Sequence, residues 1–261
     1  MGLSILLYNR ILLRSNTALF LSYHFVSLIA ISQSSSKLGV GKSTFAADAD
    51  RPVFVMTEDG LGKLQVPHFP LATSYAEVAE ALEALLEEDH DYGTVVVDSV
   101  DWLEPLIWAE ACKRNGWQSI ETPGFGKGYA EALTIWREYL DKLNALRDRK
   151  GMVVIQIAHN DIKRFDSPEH EPYDRYVIKL QTRASALLQE HSDVVLFANY
   201  QISVAKSDVG FNKKVTRALG SGARVMHTEE RPAFLAKNRY GLPDTLPLSW
   251  SEFLAAMPQS Q

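Results

Sequence analysis

The segment 36–44 carries the residue types that bind the phosphates of a nucleotide. It reads Ser-Lys-Leu-Gly-Val-Gly-Lys-Ser-Thr, which matches a glycine-rich phosphate-binding loop except that Ser36 replaces the first glycine. In such a loop backbone N–H groups converge on phosphate oxygens, Lys42 reaches the β- and γ-phosphates, and Ser43 ligates Mg²⁺. The alternative interpretation is a flexible turn with an incidental lysine. The predicted nucleotide contacts in this segment are Gly39, Val40, Gly41, Lys42, Ser43 and Thr44.

Acidic residues follow two apolar segments that are typical of buried strands. Asp98 ends the run Thr-Val-Val-Val-Asp, the Walker B arrangement, which predicts that it holds Mg²⁺ directly or through water. Glu58 follows the run 53–57, where a carboxylate can orient and deprotonate the water that attacks the γ-phosphate. A polar turn made by Glu58 and Asp59 before Gly60 is an equally weighted alternative.

His159 ends a further apolar run, residues 152–158. A polar side chain at this point can sense the γ-phosphate and transmit its presence to the following loop. A structural histidine is the alternative. Metal ligation is disfavoured, because no partner histidine lies at ligand spacing.

The elements that must position these residues alternate between strand and helix. Apolar runs at 25–31, 53–56, 94–97, 152–157 and 194–197 predict strands, and a capping box at 74–77 and an amphipathic stretch at 129–149 predict helices. This alternation predicts an α/β fold with a mainly parallel sheet flanked by helices. Residues 200–238 predict an antiparallel extension of the sheet, and residues 250–257 a closing helix. The glycine-rich segment 124–128 has no strand before it and predicts a loop before a helix.

Composition and charge narrow the class of protein. The 261 residues, 46% of them hydrophobic, suffice for one large domain, and the single cysteine excludes an intramolecular disulfide, which fits a reducing cytoplasm. The net charge of −5 means that any nucleic-acid contact must come from a local basic patch. The apolar N-terminus resembles a signal sequence or a short membrane anchor, but it merges into the first predicted strand. We therefore expect an atypical extension over residues 1–22, a single domain over residues 23–261, and no membrane association.

The order of these motifs resembles the RecA-like ATPase core, and in particular the phage-encoded RecA-like ATP-binding proteins, a group that includes single-strand annealing recombinases. The more particular marks lie in segments 54–61, 173–180 and 231–243. The resemblance implies that Glu58 activates water and that Asp98 is the Walker B acid. It also implies that Lys237 and Arg239, which match a Lys-Asn-Lys element, reach the γ-phosphate of a neighbouring subunit in a ring or filament. A solvated basic turn is the alternative for these two residues.

The resemblance also implies two DNA-binding loops, in regions 163–176 and 206–224, although Asp166, Glu169 and Glu171 make the first a poor DNA binder on its own. Basic residues interleaved with glycine and an aromatic residue suit a strand-binding loop, because cations hold phosphates and a ring can stack on a base. A solvated hairpin tip is the alternative. The predicted DNA contacts are Lys206, Lys213, Lys214, Arg217 and Arg224.

Together these features predict an ATP-binding, Mg²⁺-dependent ATPase of the bacterial host's cytoplasm that acts on single-stranded DNA in recombination or replication. A phage single-strand-binding protein is a further predicted partner. The rival hypothesis is a nucleotide-gated binding module with little or no hydrolysis, which the altered entry at Ser36 favours. A kinase is disfavoured because no arginine-rich lid is evident, and a GTPase because no Asn-Lys-x-Asp motif occurs.

Overall fold

A computed structural model describes residues 27–32, 39–169, 171–208 and 214–258, and over residues 202–221 it describes the backbone alone. The predicted extension over residues 1–22 lies outside these ranges, as do Ser36 and Lys213. None of the helices within these ranges is long and apolar enough to cross a membrane.

The described residues form a mixed sheet around which the helices pack. Its central strands follow the order β2-β3-β4-β1-β6-β7-β9, while β5 pairs with β4 and β8 with β6. The strands are β1 (Ser27–Ser32), β2 (Pro52–Met56), β3 (Thr94–Asp98), β4 (Val153–Phe165), β5 (Tyr173–Ile178), β6 (Val194–Asp208), β7 (Lys214–His227), β8 (Lys237–Asn238) and β9 (Thr245–Pro247).

The direction of the strands confirms the predicted fold class. Strands β2, β3, β4, β1 and β6 run parallel to one another, whereas β5, β7, β8 and β9 join antiparallel. The carboxyl ends of the parallel strands therefore share one edge of the sheet, where ligands bind in folds of this kind. Strands β7, β8 and β9 follow the change of pattern after residue 200, as predicted, whereas the antiparallel β5 lies before it and was not predicted.

Helices cover both faces of the sheet because the parallel strands are apolar on both sides. Ile29 and Ile31 of β1 pack into the core beneath α2, α3 and α4, whereas Leu28 and Ala30 face α1 and α6. The helices are α1 (Lys42–Ala47), α2 (Tyr75–Glu87), α3 (Val100–Asn115), α4 (Lys127–Lys150), α5 (Thr182–His191) and α6 (Trp250–Ala256).

Local signals explain where the helices begin and end. The Ser74 side chain accepts a hydrogen bond from Glu77 N at 3.3 Å, which is the predicted capping box of α2. Helix α4 begins after Gly126, so the predicted loop before a helix is confirmed, and it ends at Gly151 in the left-handed conformation.

Two strands continue past the edge at which the other parallel strands end. The first part of β6 pairs with β1 as far as Ala198, and the rest pairs with β7 alone. Beyond His159, β4 pairs with β5 alone. As an extended strand, the free part of β6 spans roughly 30 Å. The fold thus places two hairpins beyond the edge of the sheet that carries the glycine-rich loop.

Candidate nucleotide site

The described part of the glycine-rich loop, Gly39 to Gly41, leads from β1 into α1. Gly41 has a φ of 101°, a left-handed conformation that glycine adopts without steric cost, and Lys42 and Ser43 open the helix. Phe45 anchors α1, because its ring packs edge-on against Trp250 at a centroid distance of 5.5 Å. The first turn of α1 contains no acidic residue, which suits it to an anionic ligand.

Lys42 is a buried cation surrounded by carboxylates. Its side chain is only 8% exposed, and burial lowers its pKa, while the nearby Asp98, Asp101 and Glu58 act in the opposite direction. Carboxylates beside a buried lysine favour its charged form and oppose the effect of burial. The arrangement places the Lys42 side chain beside the loop, where phosphates would lie.

Ser43 and Asp98 meet although the sequence separates them by more than 50 residues. Ser43 Oγ donates a hydrogen bond to Asp98 Oδ2 at 2.7 Å. Asp98 is 2% exposed, and burial raises the pKa of its carboxyl against the opposing effect of this hydrogen bond. A hydroxyl and a carboxylate at this distance form the oxygen pair that a hard cation such as Mg²⁺ takes in phosphate-binding sites.

Glu58 is held by the end of β3. Thr57 Oγ1 donates to Ser99 O at 2.6 Å, and Thr57 N donates to Asp98 O at 2.9 Å, so the turn after β2 is tied to the turn after β3. The side chain of Glu58 remains 19% exposed, so it can reach a water molecule. The structure therefore brings the candidate base to the same edge as Ser43 and Asp98.

His159 lies between two carboxylates. Its Nδ1 is 3.0 Å from Asp101 Oδ2 and 3.8 Å from Glu58 Oε1, and its backbone N–H donates to Asp101 Oδ1 at 3.0 Å. Burial would raise the pKa of Asp101, but the hydrogen bonds from His159 outweigh it and keep that pKa below its ordinary value. Asp101 was not identified from the sequence, although it follows Asp98 by one short turn. It fixes the histidine ring beside the candidate base.

The residues present fit a magnesium nucleotide. Lys42 would bind the phosphates, and Ser43 with Asp98 would hold the cation, which supplies charge neutralisation when bound. Within the described ranges no group of three or more His, Cys, Asp or Glu side chains is arranged to hold a metal. A metal at this site would therefore need oxygens from the phosphates or from water to complete its shell.

Lys237 and Arg239 lie away from this loop. Strand β8 pairs with the start of β6 at Val194 and Val195, which is the opposite edge of the sheet. Lys237 Nζ donates to the carbonyl oxygens of Gln189 at 2.7 Å, Glu190 at 3.1 Å and Ser192 at 2.7 Å. Arg239 pairs with Asp193 at 3.0 Å and keeps 53% of its side chain exposed. The structure does not bring these two cations to the nucleotide site of their own chain.

The predicted DNA contacts separate into two groups. The backbone places Lys206, Lys214 and Arg217 in the outer part of the β6–β7 hairpin, where Lys206 pairs with Thr216 and Ala205 with Arg217. Arg224 is different, because its guanidinium lies against the glycine-rich loop, with Nη1 3.3 Å from Val40 O. Lys213 lies outside the described residues.

The class of protein follows from where the site falls in the sheet. The loop joins β1 to α1, and its acidic partner ends β3, which is separated from β1 by β4. This is the architecture of a P-loop nucleoside triphosphatase with a RecA-like core. The chain belongs to the AAA domain family, whose family model matches residues 35–240, more than three quarters of the sequence.

Solved structures with similar folds were also found. The RadB recombinase structure has 16% identity and a TM-score of 0.40, and the similarity covers 80% of this chain and 84% of that one. The flagellar accessory protein FlaH from Methanocaldococcus jannaschii has 11% identity and a TM-score of 0.34, over 82% of this chain and 90% of that one. No curated protein sequence matches the chain.

Proposed function

We propose that the chain is an ATP-binding, Mg²⁺-dependent ATPase of the phage RecA-like type that acts on single-stranded DNA in recombination or replication. The observation that carries the proposal is the convergence of a buried lysine, a Ser43–Asp98 pair at 2.7 Å and a partly exposed Glu58 at one edge of the sheet. Each has a separate task in phosphoryl transfer to water.

Glu58 is the proposed general base. It has the access to water that a base requires, and His159 and Asp101 stand behind it as positioning residues. His159 also begins the part of β4 that leaves the sheet with β5, so a change at the γ-phosphate has a direct covalent route to that hairpin.

Single-stranded DNA is the proposed partner because basic side chains recur beyond the nucleotide edge. Lys163 and Arg164 lie in the outer part of β4, next to the exposed Ile162 and Phe165. The β6–β7 hairpin adds the basic residues predicted from the sequence. Cations combined with exposed apolar and aromatic side chains suit a flexible polyanion whose bases can stack.

Lys237 and Arg239 are proposed to act on the nucleotide site of a neighbouring subunit. Arg239 is the better candidate for reaching a neighbour's γ-phosphate, because half of its side chain is exposed, while Lys237 ties the same segment to the end of α5. A cation supplied by a docked subunit stabilises charge that develops on the γ-phosphate oxygens.

The alternative function is a nucleotide-gated binding module with little or no hydrolysis. It is favoured by Ser36, which stands where the phosphate-loop pattern has glycine. It would use the same loop to hold a nucleotide and the hairpins to hold a partner.

ATP turnover with and without a single-stranded oligonucleotide, in Mg²⁺ and in excess chelator, separates the two functions. The ATPase proposal predicts Mg²⁺-dependent turnover that rises when DNA is added. Tight nucleotide binding without turnover under either condition supports the binding module. Turnover that DNA does not change would retain the ATPase and remove the DNA part of the proposal.

A further inference from the structure

Arg224 contacts the phosphate-binding loop although it is far from it in sequence. Its Nη1 donates to the backbone oxygen of Val40 at 3.3 Å. The guanidinium also covers the next residue, since a Cβ added to Gly41 would collide with Nη1. The arginine therefore lies against the described end of the loop, one residue before Lys42.

The backbone of Arg224 is fixed by the inner part of the sheet. It pairs with Tyr200 of β6, and its carbonyl oxygen accepts a hydrogen bond from Leu248 N at 3.0 Å. Met226, two residues later, is fully buried. Arg224 thus lies at the base of the hairpin, in the last regular pair before the β6–β7 register shifts, whereas the other predicted DNA contacts lie further out.

Arg224 also differs from most arginines of the chain in its partners. Among the described side chains no carboxylate pairs with it, and its hydrogen bond to Val40 uses one of five N–H donors. Within the described side chains, the arginines that pair with a carboxylate are Arg51, Arg114, Arg147, Arg149, Arg164, Arg175, Arg231 and Arg239. A guanidinium with donors available beside an anion-binding loop is suited to phosphate oxygens, which it can bind in bidentate fashion.

The strand order shows on which side of β1 Arg224 approaches the loop. Glu58 follows β2, Asp98 ends β3, and His159 is the last residue of β4 that pairs with β1. These three strands lie on one side of β1, whereas Arg224 comes from β7 on the other side, beyond β6. The two groups bracket the loop. With Glu58 as the proposed base, the γ-phosphate and its attacking water would lie on the side of Glu58, which leaves the opposite side for the rest of the phosphate chain.

We propose that Arg224 is a nucleotide-binding residue that contacts the α- or β-phosphate in the same subunit. The inference rests on the proposed nucleotide site and gives this side chain a nucleotide ligand in place of DNA. Because ADP and ATP share those phosphates, loss of the guanidinium should weaken both nucleotides alike.

Calorimetry with ADP and with a non-hydrolysable ATP analogue tests the proposal in the full chain. The variants are Arg224→Ala, Arg224→Gln and Arg224→Lys, with Arg137→Ala as a matched control on the exposed face of α4. Lys42→Ala reports on the loop itself. Thermal unfolding checks that each variant is folded.

We expect Arg224→Ala and Arg224→Gln to lose roughly tenfold or more in affinity for both nucleotides, as for a charge-assisted hydrogen bond. Arg224→Lys should recover part of that loss, and Arg137→Ala should match the parent. Glutamine keeps a hydrogen-bond donor but carries no charge. If Arg224→Gln alone retained the parent affinity, the role of Arg224 would be to support the loop through its hydrogen bond to Val40 O, and the proposal would be overturned.

Other outcomes also decide the matter. Loss for the ATP analogue but not for ADP would place the contact at the γ-phosphate and contradict the proposed position. Unchanged affinity in all Arg224 variants, with binding abolished in Lys42→Ala, would refute the inference and leave the nucleotide site intact. Parent affinity in Lys42→Ala would instead remove the proposed function itself. Loss of single-stranded DNA affinity without nucleotide, at unchanged nucleotide affinity, would return Arg224 to the DNA site.

Discussion

At the scale of single residues, the site depends on how Asp101 holds His159. A buried carboxylate that accepts from both the ring and the backbone N–H of one histidine fixes its position and its tautomer. His159 then stands 3.8 Å from Glu58, which Thr57 ties to β3 from the other side. The candidate base is therefore flanked by residues that are themselves held by hydrogen bonds, which is the kind of support that catalytic geometry requires.

Glu58→Gln should retain nucleotide binding and lose hydrolysis, with a fall in kcat of about 100-fold or more, because an amide cannot accept the proton of water. Steady-state turnover together with calorimetry on the ATP analogue measures both effects. Asp59→Asn is the matched control, since Asp59 is the adjacent exposed carboxylate. Equal turnover in Glu58→Gln and the parent would make Glu58 a turn residue and move the base elsewhere.

At the scale of elements, α3 and α5 are joined by a buried carboxylate. Glu104 of α3 is 6% exposed, and both of its oxygens accept from Gln181 N at 3.0 Å, the residue that caps α5. Burial raises the pKa of Glu104 to about 7, against the opposing effect of the Gln181 hydrogen bonds. The contact between α3 and α5 therefore includes a carboxyl group, that of Glu104, whose pKa lies near neutral pH.

Stability should accordingly fall as pH rises from about 4.5 to about 7, relative to Glu104→Gln. The native state holds the proton more tightly than the unfolded state, so the stabilisation is complete below the unfolded pKa and is lost as pH rises through the folded pKa. The loss should be at most about 3 kcal/mol. Denaturant unfolding of both proteins across this range measures it, and parallel pH profiles for the two would contradict the assignment.

The hairpin of β6 and β7 carries the prediction for DNA. Replacing Lys213, Lys214 and Arg217 by Ala should lower single-stranded DNA affinity and leave ATP binding unchanged. The slope of the logarithm of the binding constant against the logarithm of the salt concentration should become shallower, by up to ~0.7 for each phosphate that the variant no longer neutralises. Fluorescence anisotropy on a labelled oligonucleotide across a salt series measures this. A control that removes three exposed cations from α3 and α4, Lys113, Arg137 and Arg149, should behave as the parent. Equal slopes in all three proteins would show that this hairpin is not the DNA site.

The elements differ in how well the sequence predicts them. Short apolar runs locate the five parallel strands, and the capping box locates α2, because burial on both faces and a local hydrogen bond each leave a clear pattern. Helix α3 lacks such a signal, since Pro105 lies inside it and the large apolar side chain of Trp102 is 52% exposed. The pairing of Asp101 with His159 and the approach of Arg224 to the loop depend on which strands are neighbours, and local sequence patterns do not contain that information.

At the scale of the whole molecule, the nucleotide edge and the Lys237–Arg239 segment lie on opposite edges of one sheet. A cation on one edge can serve a nucleotide on the other edge only between subunits. The two cations differ in their contacts. Lys237 donates hydrogen bonds to backbone carbonyls at the end of α5, whereas the side chain of Arg239 is about half exposed. Self-association would therefore couple hydrolysis to assembly.

Mixing a Glu58→Gln subunit with an Arg239→Ala subunit should restore turnover that neither shows alone. The Glu58→Gln subunit supplies Arg239 to the γ-phosphate bound in the other subunit, where Glu58 is intact. Turnover over a series of mixing ratios, with light scattering in ATP and DNA, measures the effect. Lys237→Ala should in addition lower the unfolding temperature, since it removes three hydrogen bonds to the end of α5. A monomer under all conditions, with no recovery at any ratio, would exclude the shared site.

Nucleotide binding by the loop that ends in Gly41 should depend on Lys42. Calorimetry with a non-hydrolysable ATP analogue on the parent, on Lys42→Ala and on Lys63→Ala, an exposed lysine outside the loop, tests it most directly. We expect saturable binding in the parent and in Lys63→Ala, and a loss of at least about 100-fold in Lys42→Ala, because the buried ammonium is the cation placed to meet the phosphates. A folded Lys42→Ala variant that binds the analogue as tightly as the parent would contradict the claim.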